Sequence, residues 1–265
     1  MCNFTKEQWA EICPQLTIED ALPVPPIQFP DAQLHTIAEE VWHSGYMALP
    51  PLFSDEELAV LVLALEQLKQ AKIPPVYIYL FDQPWALFDK LQQLIRFFLG
   101  DEYALLPNFW AWHLTETGER GWPVHRDCDA QTVFDIGGDQ MLMSLSLWVP
   151  LSDVDEANGC MYVVDRVAEE SLPESTYLDK EFLLPLATAL PAKAGAVLGW
   201  PQDVIHWGGD FTSKARNPRM SLSFEFQNRQ FDPLVEPLLS TATPPDFETR
   251  LELLRQQFAK YSHIA

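Results

Sequence analysis

The sequence predicts an α+β fold: a double-stranded β-helix, that is a jelly-roll or cupin-like barrel, flanked by N-terminal and C-terminal helices. Three observations carry that expectation. Apolar residues recur at helical spacing early in the chain; from Asn108 they switch to short alternating or wholly apolar runs; one amphipathic helical pattern closes the chain. Helices, then many short strands punctuated by Gly, Pro and Asp, fit an antiparallel double sheet better than alternating βαβ units. One domain of 265 residues is expected, helical over about 1–105, a barrel over about 106–230 and helical again over about 245–262. That length allows a substantial core.

The elements follow in order. "DAQLHTIAEEVWHSG" carries a helical apolar stripe and stops at Gly45, a residue that readily ends a helix. "YMALPPLF" reads as a short strand and turn. "SDEELAVLVLALEQLKQ" opens with Ser54 and has Glu57 three residues on, the capping-box pattern that satisfies two otherwise unpaired N–H groups. "PWALFDKLQQLIRFFLG" reads as one helix ended by Gly100. "NFWAWHLTET", "MLMSLSLWVPL", "GCMYVVD", "GAVLGW" and "RMSLSFEFQ" read as strands, and "DFETRLELLRQQFAKY" as the closing helix. The Pro-rich "ALPVPPIQFP" and "TATPPDF" read as connectors.

Composition bounds the function. Residues are 48% hydrophobic and 12% aromatic, as in folded globular proteins. A formal charge of −21 repels nucleic acid and anionic membranes, so neither is an expected partner. No apolar run reaches the length of a membrane span, and "MCNFTKEQWAEICPQL" lacks the basic and apolar regions of a secretory signal. Cys2, Cys13, Cys128 and Cys160 form no CxxC and no dense framework, which fits a reduced, cytoplasmic setting.

The chemistry starts at His125-Arg126-Asp127. Residues i and i+2 of a strand share a face, so His125 and Asp127 project together and can share a metal ion. Alone, His-x-Asp is a common coincidence. Of the other histidines, His35 and His43 lie in the N-terminal helical region and His263 in the tail, which leaves His113 and His206 as the third ligand. His206 has the more favourable setting, after the apolar "GAVLGW" and before Gly208 and Gly209, where the chain can bend around a ligand. Two histidines and one carboxylate leave three positions of an octahedral ion open, the facial triad of non-haem Fe(II) oxygenases.

In "RMSLSFEFQ", Arg219, Ser221, Ser223 and Glu225 fall on one face and Met220, Leu222, Phe224 and Phe226 on the other. Either the polar face meets water, or it lines the barrel, where Arg219 and a serine hydroxyl would clamp a carboxylate. Ser144, Ser146 and Trp148 likewise share one face, read as the site side, with ordinary packing of Trp148 as the alternative. Cys128, beside the pair, is expected to be a small buried residue. The pocket walls are expected from Trp110 and Trp112, from the segment after Asp127 and from "VVDRVAEES".

Taken in order, these segments resemble the phytanoyl-CoA dioxygenase-like family of Fe(II)/2-oxoglutarate oxygenases over most of the chain. "HSGYMALPPLFSDEELAVL" is similar to its N-terminal strand, Pro turn and capped helix. "HRD" matches its His-x-Asp. "LWVPLSDVDEANGCMYVV" is similar to its strand–loop–strand with an Asn-Gly turn, "KAGAVLGWPQDVIHWGG" to the segment carrying the distal histidine, and "RMSLSFEF" to the strand led by the cosubstrate arginine. The resemblance implies that His125, Asp127 and His206 bind Fe(II). It implies that Arg219 pairs with the distal carboxylate of the cosubstrate 2-oxoglutarate, with Ser221 assisting and Trp148 nearby. It also implies that O2 is used to hydroxylate a small-molecule substrate, with release of succinate and CO2. Related halogenases carry a small residue in place of the carboxylate ligand, so Asp127 implies oxygenation.

The chain departs from the family where the strand after Asn158 and Gly159 continues as "VVDRVAEES" instead of Pro-Gly-Ser-His, so a CoA thioester substrate is not implied. Arg216 rivals Arg219, but Pro218 separates it from the alternating strand. Two other readings stand: a cupin-like metal enzyme that does not use 2-oxoglutarate, favoured if Arg219 does not face inward, and a non-catalytic jelly-roll binding protein, favoured if the three ligand residues do not converge.

Overall fold

The computed structural model describes residues 4–20, 22, 24–172 and 179–261. Cys2, His263, residue 262 of the expected closing helix, and Ala21 and Pro23 of the first Pro-rich connector lie outside the described residues. The helices are α1 (Lys6–Ile12), α2 (Asp31–Ser44), α3 (Asp55–Gln70), α4 (Asp82–Asp89), α5 (Gln92–Leu99), α6 (Arg166–Glu170), α7 (Lys180–Leu183) and α8 (Phe247–Tyr261). The strands are β1 (Met47–Leu49), β2 (Tyr103–Leu114), β3 (Val133–Ile136), β4 (Asp139–Leu142), β5 (Ser144–Pro150), β6 (Met161–Val164), β7 (Ala187–Leu190), β8 (Val197–Pro201), β9 (His206–Gly208) and β10 (Arg219–Asn228).

Five strands form an antiparallel sheet in the order β1-β8-β5-β10-β2, and three form a smaller one, β7-β6-β9, with β3 and β4 as a separate hairpin. These are the sheets of the expected jelly roll. Between β5 and the edge strand β2, β10 places Ser223 opposite both Trp110 and Trp148. Its apolar residues Met220, Leu222, Phe224 and Phe226 are buried in one cluster with Leu61 and Leu65 of α3, Phe88 of α4, Ile95 of α5 and Leu254 of α8. Phe224 meets Phe88 edge to face at 4.9 Å. A slip of one residue would expose all four apolar side chains, at roughly 1.5–3 kcal/mol each, so the helical layer fixes which face of β10 looks into the barrel.

Local chemistry explains the helix ends. Gly45 closes α2 with φ 83°, a conformation open to glycine at little penalty. Ser54 and Glu57 form the expected capping box at α3. Three expectations need correction. The single helix over "PWALFDKLQQLIRFFLG" is two, α4 and α5, because the Lys90 carbonyl at the break accepts the N–H of Ile27 at 2.8 Å. The run "MLMSLSLWVPL" is likewise two strands. Met143, between β4 and β5, bonds Thr132 O (2.8 Å) and Asn228 N (2.9 Å) instead of continuing one ladder. Within "VVDRVAEES", Asp165 accepts from Ala168 N at 2.8 Å and starts α6.

Candidate metal centre and its cavity

One backbone bridge brings the two histidines together. His125 N donates to His206 O (3.1 Å) and His206 N to His125 O (3.0 Å), which sets their rings side by side with centroids 4.3 Å apart. Each Nδ1 lies against a carbonyl two residues earlier, His125 at Pro123 O (2.8 Å) and His206 at Val204 O (2.9 Å). Those acceptors place the proton on Nδ1 and leave both Nε2 lone pairs free. Both Nε2 atoms face Asp127, His125 at 3.3 Å from Oδ1 and His206 at 3.7 Å from Oδ2. One ligand atom from each of His125, Asp127 and His206 lies within 4.8 Å of the others.

The electrostatics suit a cation. Burial alone raises the Asp127 carboxyl, but His206, then His125 and the Ser146 hydroxyl outweigh it and hold Asp127 well below the usual carboxylate range. Ser146 Oγ donates to Asp127 Oδ2 at 2.7 Å and Trp200 Nε1 approaches the same oxygen at 3.4 Å. Burial lowers His206 to about 4, so its imidazole is neutral at ordinary pH. Burial also opposes protonation of His125, but the adjacent Asp127 carboxylate prevails and raises it. Two imidazole nitrogens and a carboxylate on one side of an otherwise open position can hold a divalent transition metal.

Arg219 enters the same cavity. It is fully buried; among the described residues its Nε and Nη1 have no hydrogen-bond partner, and Nη2 reaches only the Met161 sulfur at 3.6 Å. The guanidinium lies 5.4 Å from the Trp112 ring and 5.3 Å from that of Trp148. Burial lowers it to about 10, which leaves it cationic at neutral pH. Ser221 Oγ and Trp148 Nε1 are also buried without partners among the described residues. Buried donors left unmet are costly, and a carboxylate is the acceptor that suits a guanidinium. The backbone leaves room for this: a Cβ on Gly208 would sit 2.8 Å from Arg219 Nη1, and one on Gly121 2.7 Å from it.

The cavity, about 300 Å³, is lined by the metal-ligand set, Arg219, Trp110, Trp112, Trp122 and Trp148, and also by Glu225, Lys260 and Tyr261. The structure separates the other candidates from it. His113 turns outward, with Nδ1 3.2 Å from Leu65 O. Arg216 is exposed in the turn before β10. Cys128, expected to be buried, is only partly so. The "VVDRVAEES" segment does not line the cavity, because Glu169 and Arg166 of α6 pair with Arg126 (2.6 Å) and Asp203 (2.5 Å) behind it. The last turn of α8 takes its place. Glu225 was on the inward face of the alternation without a role; Lys260 and Tyr261 carried no signal, since their approach depends on how α8 docks.

Among the described residues no helix is long and apolar enough to cross a membrane. No protein-family model matches the chain, and no curated protein does. Solved structures do. The α-ketoglutarate-dependent epimerase SnoN of nogalamycin biosynthesis is similar with a TM-score of 0.59 at 17% identity, over 75% of this chain and 82% of that one. HygX from Streptomyces hygroscopicus, with nickel and 2-oxoglutarate bound, is similar with 0.58 at 16%, over 77% and 89%. The carbocyclase SnoK of nogalamycin biosynthesis is similar with 0.55 at 13%, over 78% and 87%. At such identities the likeness is one of fold: the chain has the jelly roll of these α-ketoglutarate-dependent enzymes.

Proposed function

We propose that the protein is an Fe(II)/2-oxoglutarate-dependent oxygenase, of the phytanoyl-CoA dioxygenase-like kind, that hydroxylates a small molecule and releases succinate and CO2. One observation carries this reading. A single cavity holds both a two-histidine, one-carboxylate set and a buried arginine with two nitrogens that have no hydrogen-bond partner among the described residues. His125, Asp127 and His206 hold the metal, Arg219 with Ser221 takes the distal carboxylate of 2-oxoglutarate, and Trp148 walls the cosubstrate. When bound, Fe(II) and 2-oxoglutarate supply the oxidising power by spending O2 on decarboxylation of the cosubstrate. The protein's residues orient and exclude. Pro123 and Val204 fix the imidazole tautomers, Ser146 and Trp200 fix the carboxylate, and Trp112 and Trp148 keep water from the guanidinium.

The neighbours support the cofactors: one SnoN structure contains Fe3+, α-ketoglutarate and nogalamycin RO, and HygX is seen with nickel, 2-oxoglutarate and hygromycin B. Hydroxylation, as opposed to the epimerisation and ring closure of SnoN and SnoK, rests on the family resemblance; Asp127, a carboxylate where halide would bind, supports oxygenation over halogenation. The inward Arg219 counts against a metal enzyme without 2-oxoglutarate, and the convergence of the three ligand residues counts against a binding protein without chemistry. The test is anaerobic. Fe(II) and 2-oxoglutarate added together should give a visible charge-transfer band, absent in Asp127→Ala, and air should then release succinate. No band and no succinate would sink the reading.

A further inference from the structure

Strand β10 carries a second ionisable group into the cavity. Glu225 lies on the same face as Arg219, about 20 Å along the strand. Asn108 Nδ2 (2.9 Å) and Gln202 Nε2 (2.7 Å) both donate to Glu225 Oε2. Oε1 is left to the cavity that Glu225 lines. Among the described residues, the charged and titratable groups that face it are Asp127, and Lys260 and Tyr261 of α8. Among the described residues none forms an ion pair with it: Lys260 acts on it only through its charge and keeps Nζ over the Tyr261 ring at 4.9 Å. A carboxyl oxygen enclosed without a hydrogen-bond partner among the described residues costs the fold stability, and a ligand donor would answer it. Nearby stand three aromatic rings, Trp110 and Trp122 at 5.0 Å and Trp122 and Tyr261 at 4.9 Å between centroids. Aromatic faces attract cations, and a chain of net charge −21 biases approach in the same sense.

We propose that Glu225 selects the substrate, pairing through Oε1 with a protonated amine of an organic molecule seated against Trp110, Trp122 and Tyr261. This rests on reading the cavity as an oxygenase site. The two ends of β10 then divide the work by charge, Arg219 toward the dicarboxylate and Glu225 toward the cation. Burial, with the Asp127 charge, raises the free carboxyl to about 8; since Oε2 already accepts two N–H groups, the proton sits on Oε1, where an ammonium group would replace it.

The test is ligand-observed NMR on metal-free protein with two matched pairs, phenethylamine against 2-phenylethanol and tryptamine against tryptophol, plus phenylacetate. Each amine should bind at least about tenfold more tightly than its alcohol. Glu225→Gln, which keeps an acceptor for Asn108 and Gln202, should bring the amine down to the alcohol while the alcohol is unaffected. Equal binding within both pairs, no binding of either amine, tighter binding of phenylacetate, or equal weakening of amine and alcohol by Glu225→Gln would each overturn the proposal. The two readings fail separately. If the wild-type Fe(II)/2-oxoglutarate band is missing, the oxygenase reading falls; if the band forms and the amine preference is missing, only the role of Glu225 falls.

Discussion

Two buried arginines sit in this protein under similar conditions and in opposite states. Arg219 and Arg250 are 0% and 1% exposed, and each guanidinium lies beside tryptophan, Arg250 at 5.4 Å from Trp85. Arg250 has every direction answered: Asp82 Oδ1 at 2.8 Å, Leu80 O at 2.9 Å and Pro245 O at 2.7 Å. Asp82 in turn accepts from Thr17 Oγ1 and from the backbone of Glu19 and Asp20. Arg219 has two nitrogens with no acceptor among the described residues. Burial of a charge therefore says little about its role; the unmet donors separate a fastening from a binding group. Cavity size does not separate them either, since the cavity beside Arg250, about 530 Å³, is larger than the one that holds Arg219.

The largest expected effect comes from breaking the satisfied pair. Asp82→Ala strands Arg250 without its counter-ion and should cost about 3–5 kcal/mol in urea unfolding, while the folded fraction still forms the Fe(II)/2-oxoglutarate band. A loss below about 1 kcal/mol would mean that the pair does not fasten α8 to α4. Arg219→Met should do the reverse. Stability should hold or rise, because an uncompensated buried charge is replaced by an apolar group of similar length. 2-Oxoglutarate affinity, titrated through the band, should fall by about 2 kcal/mol or more, roughly thirtyfold. If Arg219→Met destabilised the fold as Asp82→Ala does, the contrast between the two arginines would collapse.

The sequence showed one side of this contrast and hid the other. Arg219 was legible because a strand reports its faces by alternation: once Met220, Leu222, Phe224 and Phe226 are buried, Arg219 must look the other way. His125 and Asp127 were expected to share the face of a strand; the structure brings them together without one, His125 through an isolated bridge to His206 and Asp127 in the irregular segment that follows. Arg250 carried no such mark. Its partner Asp82 lies far away in the chain, and a helical pattern shows a stripe without naming what docks on it. The break at Lys90 was hidden for that reason too, since it depends on a bond from Ile27. Local periodicity records orientation; pairing between distant segments is settled by packing.

Glu225 offers a smaller effect with a sign that can be checked. Its carboxyl titrates at about 8 in the folded protein, against an ordinary 4.5. Between those values the unfolded chain has released a proton that the native state keeps, so wild-type stability should decline as pH rises through that window and level off above it. Glu225→Gln removes the titration, and its urea midpoint relative to wild type should climb from pH 5 to pH 8. A constant difference across that range would show that the carboxyl is not held protonated.

The smallest effect is expected at Ser146, and it tests how far the contrast extends to the metal centre. Ser146 Oγ donates to Asp127 Oδ2 at 2.7 Å. It positions the carboxylate, as Thr17 positions Asp82 from 2.8 Å. Removing such a supporting group typically weakens metal binding about 10–100-fold. Trp200 approaches the same oxygen, so Ser146→Ala should lie at the low end, near tenfold in Fe(II) affinity, with 2-oxoglutarate affinity of the metal-saturated protein unchanged. Ser146→Thr, which keeps the hydroxyl, should restore most of the loss. A variant that lost 2-oxoglutarate affinity along with metal would mean that the carboxylate end and the Arg219 end of the cavity are mechanically one unit, and the division between a closed network and an open one would have to be drawn elsewhere.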